Sequence, residues 1–358
     1  MWYNPDQPIR VSFFNGIIFY ATFSTMPIAP HIAKIARYLI ILLMPALMTG
    51  CHRKASPASV TGAPGIRILG YLNGSKNWSL AFQSVDLDRI TDLNLAFFNP
   101  DTNGIIPTDP QLAELIRQAH SKKVRVWMSI GGGSPPRHLA ALMKAEQRKS
   151  FIEHLTAYAV QNGFDGVDVD LENDLINEEY APFVFDLSAM LRSKGLQMTA
   201  ALASWNSHKI QDSTLRLYDF INIMSYDKTG PWNPAKPGPH SPFSMAESDF
   251  RYFNSDRNIP ASRLLIGVPF YGYGFGGSAP ESIAWRNLRL QYPDAIHSDS
   301  IILADGGRIY YNGIPTIQRK LQFAKQSGAA GIMIWELRQD SRDQHSLLQS
   351  IHEAINKN

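Results

Sequence analysis

Three carboxylates at alternate positions of one segment, residues 164–172, are the strongest candidates for chemistry in this sequence. The segment reads Phe-Asp-Gly-Val-Asp-Val-Asp-Leu-Glu. Because alternate side chains of a strand share a face, we expect Asp168, Asp170 and Glu172 on one side and the intervening apolar residues on the other. Like charges this close cannot all ionise, so some pKa values in the row must rise. A carboxylic acid that stays protonated at neutral pH can protonate a leaving-group oxygen.

Two other interpretations of the acidic segment remain open. The row could bind a hard cation through its oxygens, although no neighbouring His or Asn pattern completes a set of ligands. It could also be a solvated acidic loop, but Val167, Val169 and Leu171 alternate too regularly for that. The histidines are scattered without ligand spacing, and we assign them no role. We therefore predict neither a metal site nor a cofactor.

The elements that must position this row alternate between short apolar runs and longer amphipathic runs. Eight runs are predicted as strands: Ile66–Leu72, Asp92–Phe98, Val124–Ser129, Phe164–Glu172, Gln197–Ala203, Phe220–Tyr226, Leu264–Phe270 and Gly331–Trp335. Six patterns are predicted as helices: Gln111–Ser121, Pro136–Gln161, Glu178–Lys194, Ser244–Ser255, Ile314–Gln326 and Arg342–Ile355. Alternating strands and helices predict an α/β fold with a parallel sheet, and eight such units predict a (β/α)8 TIM barrel. A doubly wound open sheet is the alternative, but no glycine-rich nucleotide fingerprint follows the first strand.

Two predicted loops are longer than usual connections. Residues 228–243 contain five prolines and follow the sixth strand. Residues 274–313 follow the seventh strand and predict a small insertion between strands 7 and 8. Both loops leave the carboxyl-terminal rim of the barrel, where the active sites of this fold lie. We expect them to form walls of a substrate site.

The amino-terminal region is predicted to be a targeting signal rather than part of the folded domain. An apolar stretch, residues 38–48, follows Lys34 and Arg37 and leads through small residues to the single cysteine, Cys51. This order is typical of a secretory signal, and the end of the segment resembles the lipobox of bacterial lipoproteins, in which the cysteine is lipidated. A buried helix with an ordinary free cysteine is the alternative. The resemblance implies an exported protein that a lipid anchor holds to the membrane of a bacterial cell envelope.

Three segments are predicted from this organisation. Residues 1–51 comprise the extension and signal, with translation starting at Met1 or Met26. Residues 52–65 are rich in Pro, Gly and Ser, as a flexible tether should be, and residues 66–358 form the barrel domain.

Composition excludes several other classes of protein. The chain has 358 residues, of which 44% are hydrophobic and 18% charged, so it is not a disordered protein. A net charge of +3 without Lys/Arg runs does not indicate a basic surface for binding nucleic acid. One cysteine excludes an internal disulfide framework and a thiolate zinc cluster, and no apolar run reaches the length of a membrane-spanning helix. The sequence leaves the oligomeric state undetermined.

The acidic segment also resembles a known family. Residues 165–172 match DGxDxDxE, the signature of the family-18 glycoside hydrolases, which include chitinases and endo-β-N-acetylglucosaminidases. Further matches follow in the family's order along the barrel: Gly70-Tyr71, Ala96-Phe97, the SxGG of Ser129–Gly132, the MxYD of Met224–Asp227, Gly267–Gly272 with Tyr271, and Trp335. The resemblance covers about residues 66–356, the whole predicted barrel.

The resemblance implies substrate-assisted hydrolysis, in which the 2-acetamido oxygen of the substrate attacks the anomeric carbon. Glu172 is then the general acid and later the base, Asp170 orients the acetamido group, and Asp168 shares a proton with Asp170. The resemblance also implies that Tyr226 donates a hydrogen bond to the acetamido oxygen and that Asp227 contacts the sugar. Trp335 would form the apolar floor of the pocket, and Tyr71, Phe97 and Met224 would form its walls. Tyr271 would contribute a contact from strand seven, and Trp232 would stack on the aglycone. Trp78 and Trp205 are weaker candidates, and Asp165 is expected to be structural.

Three departures from the family pattern leave the reaction type unchanged but put the substrate in question. Gly133 stands where many chitinases have a tryptophan, Asn173 where tyrosine is common, and Tyr273 where arginine often occurs. Chitin or a chito-oligosaccharide is the expected substrate, with an N-glycan core or a peptidoglycan fragment as the alternative. A catalytically silent, lectin-like barrel and a metal-dependent barrel enzyme are competing classes.

Overall fold

The computed structural model describes residues 65–74 and 77–356, in which eight parallel strands close into a barrel. The barrel strands are β1 (Arg67–Asn73), β2 (Asp92–Ala96), β3 (Arg125–Gly132), β4 (Gly166–Leu171), β5 (Gln197–Leu202), β6 (Phe220–Ile223), β7 (Leu264–Pro269) and β12 (Gly331–Trp335). Each strand pairs in parallel with the next, and β12 returns to pair with β1. The predicted (β/α)8 TIM barrel is confirmed.

Four further strands form the predicted insertion between the seventh and eighth barrel strands. They are β8 (Tyr271–Phe275), β9 (Ser282–Ala284), β10 (Ser300–Ile302) and β11 (Arg308–Tyr310). These strands form an antiparallel sheet in the order β10-β11-β8-β9. The insertion begins as soon as β7 ends, so β8 starts at the carboxyl-terminal rim of the barrel.

Ten α-helices in the described ranges surround the barrel and extend into the insertion. They are Trp78–Phe82, Leu112–Ser121, Leu139–Leu142, Ala145–Asn162, Tyr180–Ser193, Asp212–Leu215, Phe243–Arg251, Trp285–Gln291, Ile314–Gln326 and Leu347–Asn356. The single helix predicted over residues 136–161 is wrong, because the extended backbone of Lys144 (ψ 155°) interrupts it. The first and fifth crossovers, which show no clear helical pattern in the sequence, contain only short helices of five and four residues.

Strand alternation divides the apolar core into two layers. Val167, Val169 and Leu171 on β4 point outward and join the large core beneath the helices. The inward-facing apolar side chains form a small second cluster inside the barrel: Leu69, Tyr71, Ala96, Trp127, Ala201, Tyr226, Leu265 and Met333. The acidic side chains of β4 therefore share the barrel interior with this cluster.

The amino-terminal predictions concern residues that lie outside the described ranges, Cys51 and the signal-like segment included. Within the part of the chain that the structure describes, none of the helices combines the length and the apolar character needed to cross a membrane.

Candidate active site

The acidic row of β4 runs up the inside of the barrel, as its alternation predicts. Asp168 and Asp170 are buried, with 0% and 3% of their surface exposed. Glu172 follows the last residue of the strand and is partly exposed at the carboxyl-terminal rim. The row therefore leads from a dry interior to the mouth of the barrel.

Asp168 is surrounded by neutral hydrogen-bond donors. Its Oδ2 accepts bonds from the hydroxyls of Tyr71 (2.7 Å) and Ser129 (2.8 Å). Its Oδ1 accepts bonds from Thr199 Oγ1 (2.6 Å) and Asn222 Nδ2 (3.2 Å). Burial raises the pKa of Asp168, and the bonds from Thr199, Tyr71, Ser129 and Asn222 oppose that rise. Four donors on one carboxylate favour its ionised form, although the net direction of the pKa remains upward.

Asp170 and Glu172 lack such partners. Asp170 Oδ1 is buried without a hydrogen-bond partner among the described residues, and burial, followed by the charges of Glu172 and Asp168, holds the pKa of Asp170 well above its usual range. Burial and the charge of Asp227 raise the pKa of Glu172 to about 7. Glu172 is thus an acid that retains its proton close to neutral pH.

Tyr226 places a hydroxyl in the same space. Its ring is 8% exposed, and its hydroxyl lies 3.7 Å from the sulfur of Met333, a weak acceptor. Burial raises the pKa of Tyr226, and the charges of Asp170, Asp227 and Glu172 add to the rise. The phenol therefore remains a donor without a strong acceptor, beside three carboxylates.

Trp335, at the end of β12, forms an aromatic surface across the barrel interior. Its ring lies 5.3 Å from the ring of Tyr71, and Phe97 stacks on it at 5.8 Å with an interplanar angle of 26°. Met224 is partly buried against the interior cluster that contains Tyr71 and Tyr226. The predicted floor and wall residues are therefore brought together next to the acids.

Asp227 lies at the rim, against the two tyrosines Tyr271 and Tyr273 of β8. The Tyr271 hydroxyl donates to Asp227 Oδ1, and the side chain of Asp227 remains 42% exposed. Its φ of 61° places the backbone in the left-handed region, which Asp tolerates better than most residues. Beyond it, Trp232 is 61% exposed and packs edge-on against Tyr273 at 5.4 Å. Both predicted loop residues therefore face the open side of the site.

The glycines after Ser129 allow β3 to approach this cluster. Gly131 has φ of 99°, and a Cβ there would lie 2.1 Å from the carbonyl oxygen of Asp170. A Cβ on Gly132 would lie 2.5 Å from the Phe97 ring. At Gly133, a Cβ would lie 3.4 Å from Glu172 Oε1. The residue that departs from the family pattern therefore leaves space directly beside the acid.

Sequence reasoning missed two of the donors to Asp168 and one rim residue. Thr199 and Asn222 are polar residues inside apolar strand runs, and that interruption is the signal that could have identified them. His240 carried no such signal, yet the structure places it between Tyr271 and Tyr273 and near Asp227. Asp165 has the structural contacts expected of it, since its Oδ2 accepts the Val126 amide.

Across residues 65–74 and 77–356, no group of His, Cys, Asp and Glu side chains has the arrangement of a metal site. In the same residues, no ion pair links a Lys or Arg to the acidic row of β4.

A protonated acid beside an aromatic floor is what protonation of a glycosidic oxygen above a bound sugar requires, so the fold and site define a barrel glycosidase. The chain belongs to the glycosyl hydrolases of family 18, whose family model matches residues 67–340. The resemblance found in the sequence is confirmed, and with it a chitinase-type glycosidase fold.

Individual relatives agree with this assignment. The chitinase ChiB from the chitin utilization locus of Flavobacterium johnsoniae is 34% identical, with 82% of this chain and 94% of that chain covered and a TM-score of 0.74. Chitinase 1 of Aphanocladium album is 24% identical over 283 residues, 66% of this chain and 66% of that protein. Human YKL-39, described as a pseudo-chitinase with retained chitooligosaccharide binding, shares the fold at 19% identity and a TM-score of 0.68, with 82% of this chain and 100% of that chain covered.

Proposed function

We propose that the chain is a retaining glycosidase that cleaves β-1,4-linked N-acetylglucosamine in chitin or chito-oligosaccharides by substrate-assisted catalysis. The observation that carries this proposal is the contrast within the acidic row. Asp168 is satisfied by four neutral donors, whereas Glu172 makes no side-chain hydrogen bond to any described residue and has its pKa raised to about 7. The carboxylate of Asp168 is therefore held in place, whereas that of Glu172 is free to exchange a proton.

The proposed reaction assigns one step to each of these groups. Glu172 gives its proton to the glycosidic oxygen as the bond from that oxygen to the anomeric carbon breaks, and the acetamido carbonyl oxygen of the same sugar forms a new bond to the anomeric carbon. Asp170 stabilises the positive charge on the resulting oxazolinium ring, and Tyr226 aims the acetamido oxygen by a hydrogen bond. Water then attacks the anomeric carbon, opens the ring and returns a proton to Glu172.

The remaining side chains bind the sugar. Trp335 offers its face to the ring undergoing reaction, while Tyr71, Phe97 and Met224 line the pocket around the acetamido group. Asp227, held by Tyr271, contacts a sugar hydroxyl, and Trp232 stacks on a sugar beyond the cleavage point. Exposed aromatic faces suit this task because a pyranose presents apolar C–H groups to them.

Glu172→Gln tests the mechanism with chitohexaose as substrate. We expect hydrolysis to fall by about 10²–10⁴-fold or more, because the amide cannot donate the proton, while binding of the oligosaccharide is retained. Glu178→Gln, the same change at an exposed position six residues further along, is the matched control. Hydrolysis by Glu172→Gln at the native rate would refute the mechanism.

The pH profile gives a second test of the same role. Since Glu172 must be protonated to act as the acid and its pKa is about 7, kcat/KM should decline as pH rises above about 7. A profile that stays flat to pH 9 would exclude Glu172 as the acid.

A second candidate is an endo-β-N-acetylglucosaminidase that acts on N-glycan cores or peptidoglycan fragments. The space beside Glu172, where Gly133 has no side chain, favours it, because a bulky aglycone could enter there. Mass spectrometry of the products from chitohexaose and from a high-mannose glycopeptide separates the two activities. Binding of both substrates without hydrolysis of either, or of peptidoglycan, would instead indicate a lectin-like barrel.

We also propose that the protein is exported and lipidated at Cys51, with the tether holding the barrel away from the membrane of a bacterial cell envelope. The order of basic flank, apolar stretch and cysteine supports this proposal. Metabolic labelling with an alkyne fatty acid tests it: the native chain should be labelled and partition with membranes, and Cys51→Ser should do neither. Equal labelling of both chains would contradict lipidation at this residue.

A further inference from the structure

His240 is a buried imidazole whose polar atoms are not satisfied. It lies in the proline-rich loop after β6 and is 0% exposed. Neither Nδ1 nor Nε2 makes a hydrogen bond to the described part of the chain, yet Nδ1 lies 3.5 Å from Asp227 Oδ1. A buried nitrogen without a partner is unfavourable, so a closer approach of this pair would satisfy both groups.

The position of the ring is fixed by its neighbours. The ring centroids of Tyr271 and Tyr273 lie 5.1 Å and 5.0 Å from that of His240, and Tyr271 also donates to Asp227 Oδ1. The titratable groups that face the imidazole are therefore Asp227 from the end of β6 and the two tyrosines from β8. His240 and Tyr271 both approach Oδ1 of Asp227, and Tyr273 also hydrogen-bonds this carboxylate.

The backbone around His240 is anchored from two distant elements. Lys320, on the helix Ile314–Gln326, is fully buried and donates to Ser241 Oγ (2.6 Å), to the Ser241 carbonyl (2.9 Å) and to Asn312 Oδ1 (2.8 Å). The Ser241 hydroxyl donates to the Ser225 carbonyl at 2.6 Å. The side chain of Lys320 thus ties the residue after His240 to the insertion, and Ser241 ties it to the segment that follows β6.

We propose that His240 is a positioning residue, which donates a hydrogen bond to Asp227 and keeps that carboxylate oriented beside Glu172. This inference rests on the proposed function, because it gives Asp227 a role in controlling the catalytic acid. Hydrogen bonds at active sites are often long in the free enzyme and shorten when substrate binds. The His240–Asp227 distance should shorten when a sugar hydroxyl engages Asp227.

The consequence for the acid has a definite sign. The negative charge of Asp227 is one of the causes that raise the pKa of Glu172. A donor at Nδ1 of His240 holds Asp227 in this position, so its removal frees the carboxylate to turn toward solvent and weakens the negative potential at Glu172. The pKa of Glu172 should then fall, and the acid would lose its proton at a lower pH.

Carboxyl ¹³C NMR titration of Glu172 tests this inference without depending on turnover, with the resonance assigned by its loss in Glu172→Gln. His240→Phe keeps an aromatic ring between the tyrosines and removes the donor. We expect the pKa of Glu172 to fall by about half a unit or more, and to fall further in Asp227→Asn. The double variant should match Asp227→Asn alone, because His240 acts through Asp227. His240→Asn, whose amide nitrogen can replace Nδ1, should restore most of the native value.

His297→Phe, the same change at an exposed histidine, is the control and should leave the titration unchanged. An unshifted or raised pKa in a folded His240→Phe, or a double variant whose shift is the sum of the two, would overturn the inference. His240→Leu replaces the Phe variant if the latter does not fold. If the native chain hydrolyses no glycan, the proposed function fails, but the titration still decides whether His240 controls Glu172.

Discussion

The barrel buries carboxylates at both ends, but the side chains that surround them differ between the two ends. At the amino-terminal end, Asp92 accepts hydrogen bonds from Arg67 (3.0 Å), Arg125 (2.6 Å), Trp127 and Thr91. Burial raises the pKa of Asp92, but Arg67, Thr91 and Trp127 oppose the rise. At the other end, the acids of β4 have no cationic partner in the described ranges, and only Asp168 has a full set of donors. The first carboxylate is a structural anion, whereas the second group is built to hold and release a proton.

The comparison shows that burial alone does not mark a catalytic acid, because Asp92 and Asp168 are equally inaccessible. What differs is the kind of neighbour. Two guanidinium groups stabilise the charge of Asp92, while hydroxyls and an amide stabilise that of Asp168 and leave the like charges above it uncompensated. Burial, followed by the like charges of Glu172 and Asp168, raises the pKa of Asp170. Burial, followed by the charge of Asp227, raises the pKa of Glu172, which is the property that acid catalysis uses.

Asp170→Asn should have the largest effect on activity and little effect on stability. We expect hydrolysis of chitohexaose to fall by about 10²–10⁴-fold, because the amide cannot stabilise the positive charge on the acetamido group. Unfolding in urea at pH 8 should show no loss of stability, or a gain, since the variant removes a like charge from a dry site. A variant that retained activity and lost stability would place Asp170 with Asp92 as a structural anion.

Asp92→Asn should have the opposite profile. Removing this charge leaves the partly buried Arg67 and Arg125, which are 21% and 30% exposed, against a neutral side chain. We expect the free energy of unfolding to fall by about 3 kcal/mol. The folded fraction should keep its native kcat, because Asp92 lies at the far end of the barrel. Asp88→Asn, which removes an exposed partner of Lys122, is the control and should change stability by less than about 1 kcal/mol. A loss of kcat in folded Asp92→Asn would contradict the division between the two ends.

Local sequence patterns contain most of the fold and the acidic row. The alternation of Val and Leu with Asp and Glu in residues 166–172 already separates an outer face from an inner face, and eight such runs predict the barrel. Helix continuity was predicted less well, because the break at Lys144 depends on a backbone angle that the amphipathic pattern does not reveal.

The partners of the acids were harder to predict, because they come from distant parts of the chain. Asp168 receives donors from four other strands, and Ser241, the residue after His240, is held by Lys320 and Asn312, which lie more than 70 residues away. A residue in a proline-rich loop has no periodicity from which its neighbours can be inferred. Such a residue becomes recognisable only when the rim loops are placed around the barrel.

The pH dependence of stability tests whether Glu172 holds its proton more tightly in the folded state. The folded-state pKa of Glu172 is about 7 against an ordinary value of 4.5, so the folded state holds this proton more tightly than the unfolded state. Its contribution to stability is complete below about pH 4.5 and is lost as pH rises through about 7. In urea unfolding, the free energy of unfolding of Glu172→Gln relative to that of the native chain should therefore increase between these pH values, by at most about 3 kcal/mol. A difference that does not vary with pH would mean that Glu172 titrates as an ordinary exposed carboxylate.

Thr199→Val is the smallest of these changes and isolates one neutral donor. It replaces the hydroxyl that donates to Asp168 Oδ1 at 2.6 Å with a methyl group of similar size. Because hydrogen bonds to charged groups are worth more than neutral ones, we expect a loss of about 2 kcal/mol in the free energy of unfolding. Thr156→Val is the matched control: Thr156 is also buried, but its hydroxyl has no hydrogen-bond partner in the described residues, so its removal should be neutral or stabilising. Equal losses in the two variants would show that the neutral donors do not stabilise Asp168, and that hydroxyls cannot replace the guanidinium groups around Asp92.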